Sequence, residues 1–316
     1  MNKHFDIRNT CPGCSSDDHI LLYSCDYLAP PIKHYLLSFY APQGGIDMEC
    51  LKGARFILRE CPYCGMIFQQ EIPNDLLMHV LYEDWINPSI ALDQIRKTAD
   101  LNHYLHLIQE IMIVVRFFRK PPGDLDVLDF GMGWGHWSLA ARALGCNVYG
   151  MELSKAQTAH AQSLGMHILE WEALPGYKFD FINTEQVFEH LSDPLKTLHV
   201  LKASLKEGGI MKISVPDGSD IKKRLRKGDW DAPKGSRNSL NAVSPLEHIN
   251  CFSRDTLITM ADSAGLERVT IPLRIQYACS IIWNPLSAMT KNLLLPLYRD
   301  VFKKGIYLFF RAKGTV

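Results

Sequence analysis

The sequence predicts an α/β chain: a mostly parallel sheet flanked by helices, preceded by a small ribbon built on cysteine knuckles. Three observations carry this expectation. Two Cys-x-x-Cys pairs stand within the first 65 residues. An apolar run, residues 127–130, enters a turn with glycines at 131, 133 and 135. From there strand-like and helix-like stretches alternate, the pattern of βα units. The 316 residues suit about two domains. With 47% hydrophobic and 22% charged residues, a disordered, collagen-like or rod-like chain is excluded.

The knuckles are Cys11-Pro-Gly-Cys14 and Cys61-Pro-Tyr-Cys64-Gly65. Four thiolates are the ligand count of a closed tetrahedral zinc site, and such a site is structural. Pro and Gly favour the tight turn that aims two sulfurs at one ion. Residues 54–58 and 66–69 read as strands on either side of the second knuckle. The gap between the knuckles is long and contains Cys25 and Cys50, which compete as ligands. One pair could also be a redox Cys-x-x-Cys, but the βα context such a motif needs is missing. Cys25, Cys50, Cys146, Cys251 and Cys279 read as ordinary buried cysteines.

From 72 to 120 the apolar spacing is helical, with a long helix expected over about 91–118 and a breaker at Pro121-Pro122-Gly123. Tyr82 and Trp85 are open to two readings, helix packing or a cover over the next domain's pocket.

Strand, glycine turn, a helix from about 136 to 144, a second strand at 147–151 and then Glu152 form the frame of a nucleotide-binding βαβ unit. Glycines let backbone approach a ligand, and an acid closing the second strand can accept from ribose hydroxyls. The spacing is GxGxG, not the dinucleotide GxGxxG. Asp129, two places before the first glycine, disfavours a pyrophosphate and suits a cationic ligand, and S-adenosylmethionine is a sulfonium with an ammonium group. VLDFGMGWG followed by VYGMELS resembles the cofactor site of class I S-adenosylmethionine-dependent methyltransferases. The resemblance implies a Rossmann-like, seven-stranded, mostly parallel sheet over about 124–312. It assigns the cofactor to Asp129, Gly131, Gly133, Gly135, Glu152, Glu170 and Trp171, with Glu170 against the adenine amino group. Further matches follow in order: a strand at 178–183, Val187-Phe188-Glu189-His190-Leu191 with Asp193-Pro194, a helix at 195–205, and a strand at 210–215. A last helix is expected over 253–264 with Ser253 as its cap, then a sixth strand from 266 and an antiparallel final strand over 305–312.

The ribbon ahead of this core is similar to that of a bacterial subgroup containing sugar C-methyltransferases and glycan and natural-product O-methyltransferases. Their "YHEH-x-x-x-F" segment, which carries a catalytic histidine, is matched at Glu247, His248 and Phe252; the tyrosine position is Pro245. Methyl transfer to a hydroxyl, or to a carbon beside a ketone, needs a base, and histidine suits that task. His248 is the first choice, with Glu247 to orient it, and His190 the second. His136 is expected at the cofactor's edge or as a helix cap. The stretch 217–246 is an insertion after the fifth strand. Its Lys222, Lys223, Arg224, Arg226 and Lys227 read either as a solvated helix face or, with Arg237, as a grip on an anionic acceptor. Tyr82, Trp85 and Trp230 are candidates to pack on a sugar or base. Residues 275–303 read as a buried helical hairpin, or as a contact for a membrane-linked partner or a second copy.

The formal net charge is zero, but residues 1–90 sum to −5 and residues 291–316 to +5. An acidic ribbon repels phosphate backbones, which argues against an RNA methyltransferase with a ribbon clamp. The leading expectation is methyl transfer to a sugar or nucleotide-linked sugar, with S-adenosylmethionine and a structural zinc. A non-catalytic cofactor-binding scaffold is the third reading. The expected division is 1–72 zinc ribbon, 73–123 helical connector and 124–316 catalytic domain. No apolar leader or membrane span is legible, so a cytoplasmic enzyme, with a homodimer open, is expected.

Overall fold

A computed structural model describes residues 2–281, 286–302 and 305–314. In chain order its strands are β1 (Phe5–Ile7), β2 (Ile20–Asp26), β3 (Arg55–Glu60), β4 (Ile67–Gln69), β5 (Glu71–Pro73), β6 (Asp126–Phe130), β7 (Asn147–Met151), β8 (His167–Ile168), β9 (Phe179–Glu185), β10 (Leu205–Ser214), β11 (Asn250–Cys251), β12 (Leu266–Val269) and β13 (Tyr307–Ala312). The chain forms two compact units that interleave along the sequence. One comprises Met1–Ala91, Phe188–Thr197 and Val215–Ala264; the other comprises Leu92–Val187, Leu198–Ser214 and Gly265–Val316.

The second unit holds the expected seven-stranded sheet, in the order β12-β13-β10-β9-β6-β7-β8. The strands from β10 to β8 run parallel; β13 is antiparallel to both β10 and β12. Such strands are buried on both faces and read as continuous apolar runs, and β9 is buried from Phe179 to Thr184. The parallel register sets Asp129, Asn183 and Lys212 side by side across β6, β9 and β10, a polar row through the centre of the sheet. Lys212 is 1% exposed. It is neutralised by Glu110 at 2.8 Å and Glu185 at 2.7 Å. Glu110 also accepts from Trp137 Nε1 at 2.8 Å and from the Tyr307 hydroxyl at 2.5 Å. Burial alone would raise Glu110, but Lys212 reverses the sign and its carboxyl lies below the usual range.

The first unit is built on a four-stranded sheet in the order β11-β4-β3-β2 and a two-stranded pair of β1 with β5. Helix Ile32–Tyr40 packs onto it through Ile32, Leu36 and Tyr40, at i, i+4 and i+8. Its core joins these to Tyr27, Phe56, Trp85 and Trp230. Strand β11 lies far along the chain from β4, yet pairs with it through Asn250–Phe68 and Cys251–Ile67.

The expected long helix of 91–118 is two helices, Pro88–Thr98 and Leu101–Phe118. Asp100 caps the second by accepting from His103 N, which favours a fresh start over continuation. Ser253 caps helix Arg254–Ser263 as expected, through a reciprocal pair with Thr256. Cys25 and Cys50 are half-buried, not buried, because they sit at the sheet edge and in a surface turn. Residues 282–285 and 303–304 of the expected hairpin lie outside the described residues. The described part is not fully buried: Leu286, Leu294, Tyr298, Val301 and Phe302 are exposed. Among the described residues, no helix is long and apolar enough to cross a membrane.

Candidate active site

In the second unit, β6, β7 and β8 deliver their C-terminal ends to one edge of the sheet, where open α/β sheets place ligands. Gly131, Gly133 and Gly135 all take positive φ (72°, 55° and 76°), a region that L side chains enter at a cost. The turn is tied to β7 by the Gly131 and Met132 N–H groups, which donate to the Met151 carbonyl at 2.9 and 3.0 Å. A Cβ at Gly131 would meet Val187 at 2.5 Å, whereas at Gly133 and Gly135 it would meet nothing within 4 Å. Those two glycines therefore face space a ligand can fill. Glu152 accepts from Gly133 N at 2.9 Å, Leu153 N at 2.8 Å and Ser154 N at 3.0 Å, so its carboxylate is fixed at the rim of the turn. Trp171 is 39% exposed with its ring 6.1 Å from that of Phe130, and Glu170 beside it is exposed. An open glycine cradle, a fixed acid for hydroxyls and a flat aromatic fit an adenosyl cofactor that carries no phosphate. These residues would hold S-adenosylmethionine, whose sulfonium supplies the methyl group.

Asp129 has an inner role. It is 2% exposed, and its oxygens accept from Ser138 Oγ and Asn183 Nδ2, both at 2.7 Å. Burial pushes its carboxyl up to about 6. It thereby joins β6, β9 and the start of helix His136–Ala143 beneath the turn. His136 meets His103, ring nitrogen to ring nitrogen, at 3.2 Å.

In the first unit the four knuckle cysteines converge. Cys11 Sγ lies 3.5 Å from Cys64 Sγ, and Cys14 Sγ 3.5 Å from Cys61 Sγ. All four sulfurs lie within 4.8 Å of one another, and none is in a disulfide. Edges of about 3.8 Å are expected for thiolates 2.3 Å from one tetrahedral zinc. Each knuckle closes with a positive-φ residue, Ser15 after the first and Gly65 after the second. Their N–H groups return to the Cys11 and Cys61 carbonyls at 2.8 and 2.9 Å.

The same unit brings together Glu189, His190 and His248, with one ligand atom of each within 4.8 Å of the others. The two imidazoles meet edge to face, centroids 4.9 Å apart at 80°. Glu189 is 1% exposed and reaches His190 Nε2 at 3.9 Å. His248 Nδ1 is hydrogen-bonded to the Asn241 carbonyl. A carbonyl only accepts, so Nδ1 carries the proton and Nε2 keeps its lone pair. Burial lowers His190 to about 4 and His248 to about 3, so both rings are neutral at pH 7. Glu247 does not orient His248. Its carboxylate accepts from the Tyr40 hydroxyl at 2.7 Å, because neighbouring residues direct their side chains apart.

Two residues that the sequence did not signal hold this cluster. Arg8 donates to the carbonyls of Ile249 (3.2 Å), Leu191 (3.0 Å) and Ser192 (2.7 Å) and to Asn250 Oδ1 (2.8 Å). Asn250 Nδ2 donates to the Phe188 and Leu191 carbonyls at 2.9 and 2.7 Å. The loop that carries Glu189 and His190 is thus pinned to the ribbon side of the unit.

Of the residues expected against the acceptor, Tyr82, Trp85 and Arg224 have other work. Trp85 is 6% exposed and packs on Tyr40, with Tyr82 at the edge of the same core. Trp230 is 6% exposed, its ring 5.7 Å from those of Tyr23, Tyr35 and Phe56. Arg224 donates to the Ser239 and Asp217 carbonyls at 2.8 and 2.7 Å, so its guanidinium serves the insertion's own fold.

The profile of the methyltransferase domain family matches residues 102–271. A ubiquinone biosynthesis O-methyltransferase of Dinoroseobacter shibae is 28% identical over 183 residues, 53% of this chain and 67% of that protein. Another from a Ruegeria species is 32% identical over 170 residues, 47% and 63% of the two chains. The match thus spans about two thirds of the length of these relatives. The plantazolicin methyltransferase BpumL in complex with SAH superposes with a TM-score of 0.45 at 14% identity, covering 73% of this chain and 91% of that one. With the family profile spanning more than half of the chain and the seven-stranded sheet and glycine cradle in place, the chain belongs to the methyltransferase domain family, and its core is that of an S-adenosylmethionine-dependent methyltransferase.

Proposed function

We propose that the protein transfers a methyl group from S-adenosylmethionine to a hydroxyl oxygen of a small molecule, with the His190–His248 pair as its base. The observation that carries this reading is the buried pair itself, with the His248 tautomer set by Asn241 so that Nε2 is the proton acceptor. Burial keeps the imidazole unprotonated and weakly basic, so it takes the hydroxyl proton as bond formation to the methyl carbon makes that proton acidic, with oxygen attacking in line. The carbon–sulfur bond breaks, and its electron pair stays on sulfur as S-adenosylhomocysteine leaves. Positioning supplies most of the rate, because the sulfonium is already a good leaving group. The names of the curated relatives support oxygen over carbon as the atom methylated. The segment around Glu247 and His248 supports a sugar or nucleotide-linked sugar as acceptor. Zinc on Cys11, Cys14, Cys61 and Cys64 is a structural ion in this reading, with no open position for chemistry.

The test is S-adenosylhomocysteine release in the presence of nucleotide-linked sugars and, in a parallel arm, phenolic acceptors. His248→Gln is expected to lower turnover at least about a hundredfold while cofactor affinity holds, the usual worth of a general base. Unchanged turnover in His248→Gln would sink the assignment of the base.

A further inference from the structure

The first unit contains a cleft of ≈ 220 Å³ that no part of the reading above uses. It is lined by Tyr35 and Phe39 of helix Ile32–Tyr40 and by Trp230, Asp231, Lys234 and Asn241. Tyr35 and Phe39 lie nearly parallel, with centroids 5.6 Å apart at 17°. Tyr35 also meets Trp230 edge to face at 5.7 Å. These three rings form an aromatic lining. Among the described residues Lys234 makes no ion pair, and it is exposed.

The cleft is coupled by hydrogen bonds to the histidine pair. The Tyr35 hydroxyl bonds Ser244 Oγ at 2.8 Å, and the Ser244 carbonyl accepts from His248 N at 3.0 Å. Asn241, which also lines the cleft, gives its carbonyl to His248 Nδ1. The Lys234 charge acts on His190, His248 and Glu247 together. A molecule seated in the cleft therefore rests on the same short segment, residues 241–248, that sets the tautomer of the base.

We propose that this cleft seats one end of the acceptor: a planar aromatic ring with an anionic substituent at Lys234 and a hydrogen-bond donor at Asp231. The proposal rests on the reading that the first unit supplies the base. The volume supports it, since a whole small-molecule site is larger, from about 300 Å³ upward, and this cleft suits a ring-sized part. The rings supply a stacking surface, and the ammonium beside them favours an anion. Asp231 disfavours a second negative charge on the same end. The cation expected from sequence to grip the acceptor was Arg224, Arg226 or Arg237. Arg224 is committed to Ser239 and Asp217, and Lys234 is the cation that lines the cleft.

The experiment is calorimetric titration of the full chain, saturated with S-adenosylhomocysteine, with four probes. Thymidine 5′-monophosphate and 3,4-dihydroxybenzoate carry ring and anion together; inorganic phosphate and benzyl alcohol carry one each. At least one of the first two is expected to bind at least about tenfold more tightly than both halves. Which of them does so tells a nucleotide end from an aryl acid. Lys234→Gln is expected to weaken that binding about fivefold, with Lys234→Arg restoring it and benzyl alcohol unaffected. Ser38→Trp, at an exposed cleft residue, is expected to abolish it with an unchanged melting temperature. His248→Gln should leave probe binding in place while turnover falls, so failure of the base and failure of the cleft read out separately. The proposal is overturned if neither ring-bearing anion outbinds its halves, or if both cleft variants bind as the parent does.

Discussion

His190 and His248 face each other edge to face with their centroids 4.9 Å apart, and both are held neutral by burial. Two imidazolium ions in this position would repel each other and lack solvation, so protonating the pair opposes folding. The sign follows from linkage: the unfolded chain binds protons near pH 6.5, the folded chain only near 4 and 3. Stability is unaffected by these groups above pH 6.5 and falls as pH drops from there toward 4. The loss is on the order of 3 kcal/mol for each ring. The double variant His190→Gln/His248→Gln should flatten the acid limb of a Tm-against-pH curve between pH 6.5 and 4. An acid limb as steep as the parent's would show that the pair does not titrate as described.

In the proposed cofactor site, substitutions in the glycine turn are expected to separate folding from cofactor binding. Gly131→Ala places a Cβ 2.5 Å from Val187 at φ +72°, so the fold itself must yield, beyond the roughly 1–2 kcal/mol of the left-handed conformation. Gly133→Ala carries a similar backbone cost, but its Cβ meets only open space. The expected result is a larger Tm loss for Gly131→Ala. For Gly133→Ala it is a tenfold or greater loss of S-adenosylhomocysteine affinity, about 1.4 kcal/mol or more, with a modest Tm loss. Equal affinity of Gly133→Ala and parent would remove Gly133 from the cofactor's path.

Lys212 sits in the polar row of the sheet and is paired with Glu110 and Glu185. Lys212→Met leaves Glu110 buried without its cation, a change that costs about 3–5 kcal/mol. Urea denaturation should show it, and Lys212→Met/Glu110→Gln should recover a large part. Lack of recovery in the double variant would mean that packing, not the uncompensated carboxylate, dominates.

The four knuckle sulfurs are close enough for one ion. Metal analysis is expected to find one zinc per chain, and Cys61→Ser to lose it with a Tm drop of roughly 10 °C, since metal affinity is folding free energy. A zinc-free chain that melts as the parent does would leave the cysteines without this role.

The second unit was legible because its signals are local. Apolar runs, a glycine turn and an acid after the second strand lie within 26 residues, from Val127 to Glu152, and parallel sheets impose them directly. The knuckles were legible by spacing alone. What stayed hidden was non-local. No periodicity announces that Asn250 pairs with Phe68, that Lys212 lies in register with Asn183, or that Arg8 reaches a loop 183 residues away. A buried tryptophan misled for the same reason. Trp85 looks like a ligand contact in a polar stretch of sequence, and only tertiary packing places it in an aromatic core.

Arg8 carries the most informative of these long contacts. Its guanidinium serves four acceptors, three of them backbone carbonyls, and burial lowers it to about 10, still charged at neutral pH. A planar fork can satisfy diverging carbonyls of 191, 192 and 249 at once; an ammonium cannot hold all of them in that geometry. Arg8→Lys is therefore expected to behave nearly as poorly as Arg8→Ala. Hydrogen exchange should rise across residues 188–192, and turnover should fall about tenfold or more as His190 loses its fixed position. Affinity for S-adenosylhomocysteine, whose proposed site is the glycine turn, should hold. If exchange in that loop is unchanged in Arg8→Ala, Asn250 alone suffices to hold it, and Arg8 is a stabilising residue without a part in positioning the base.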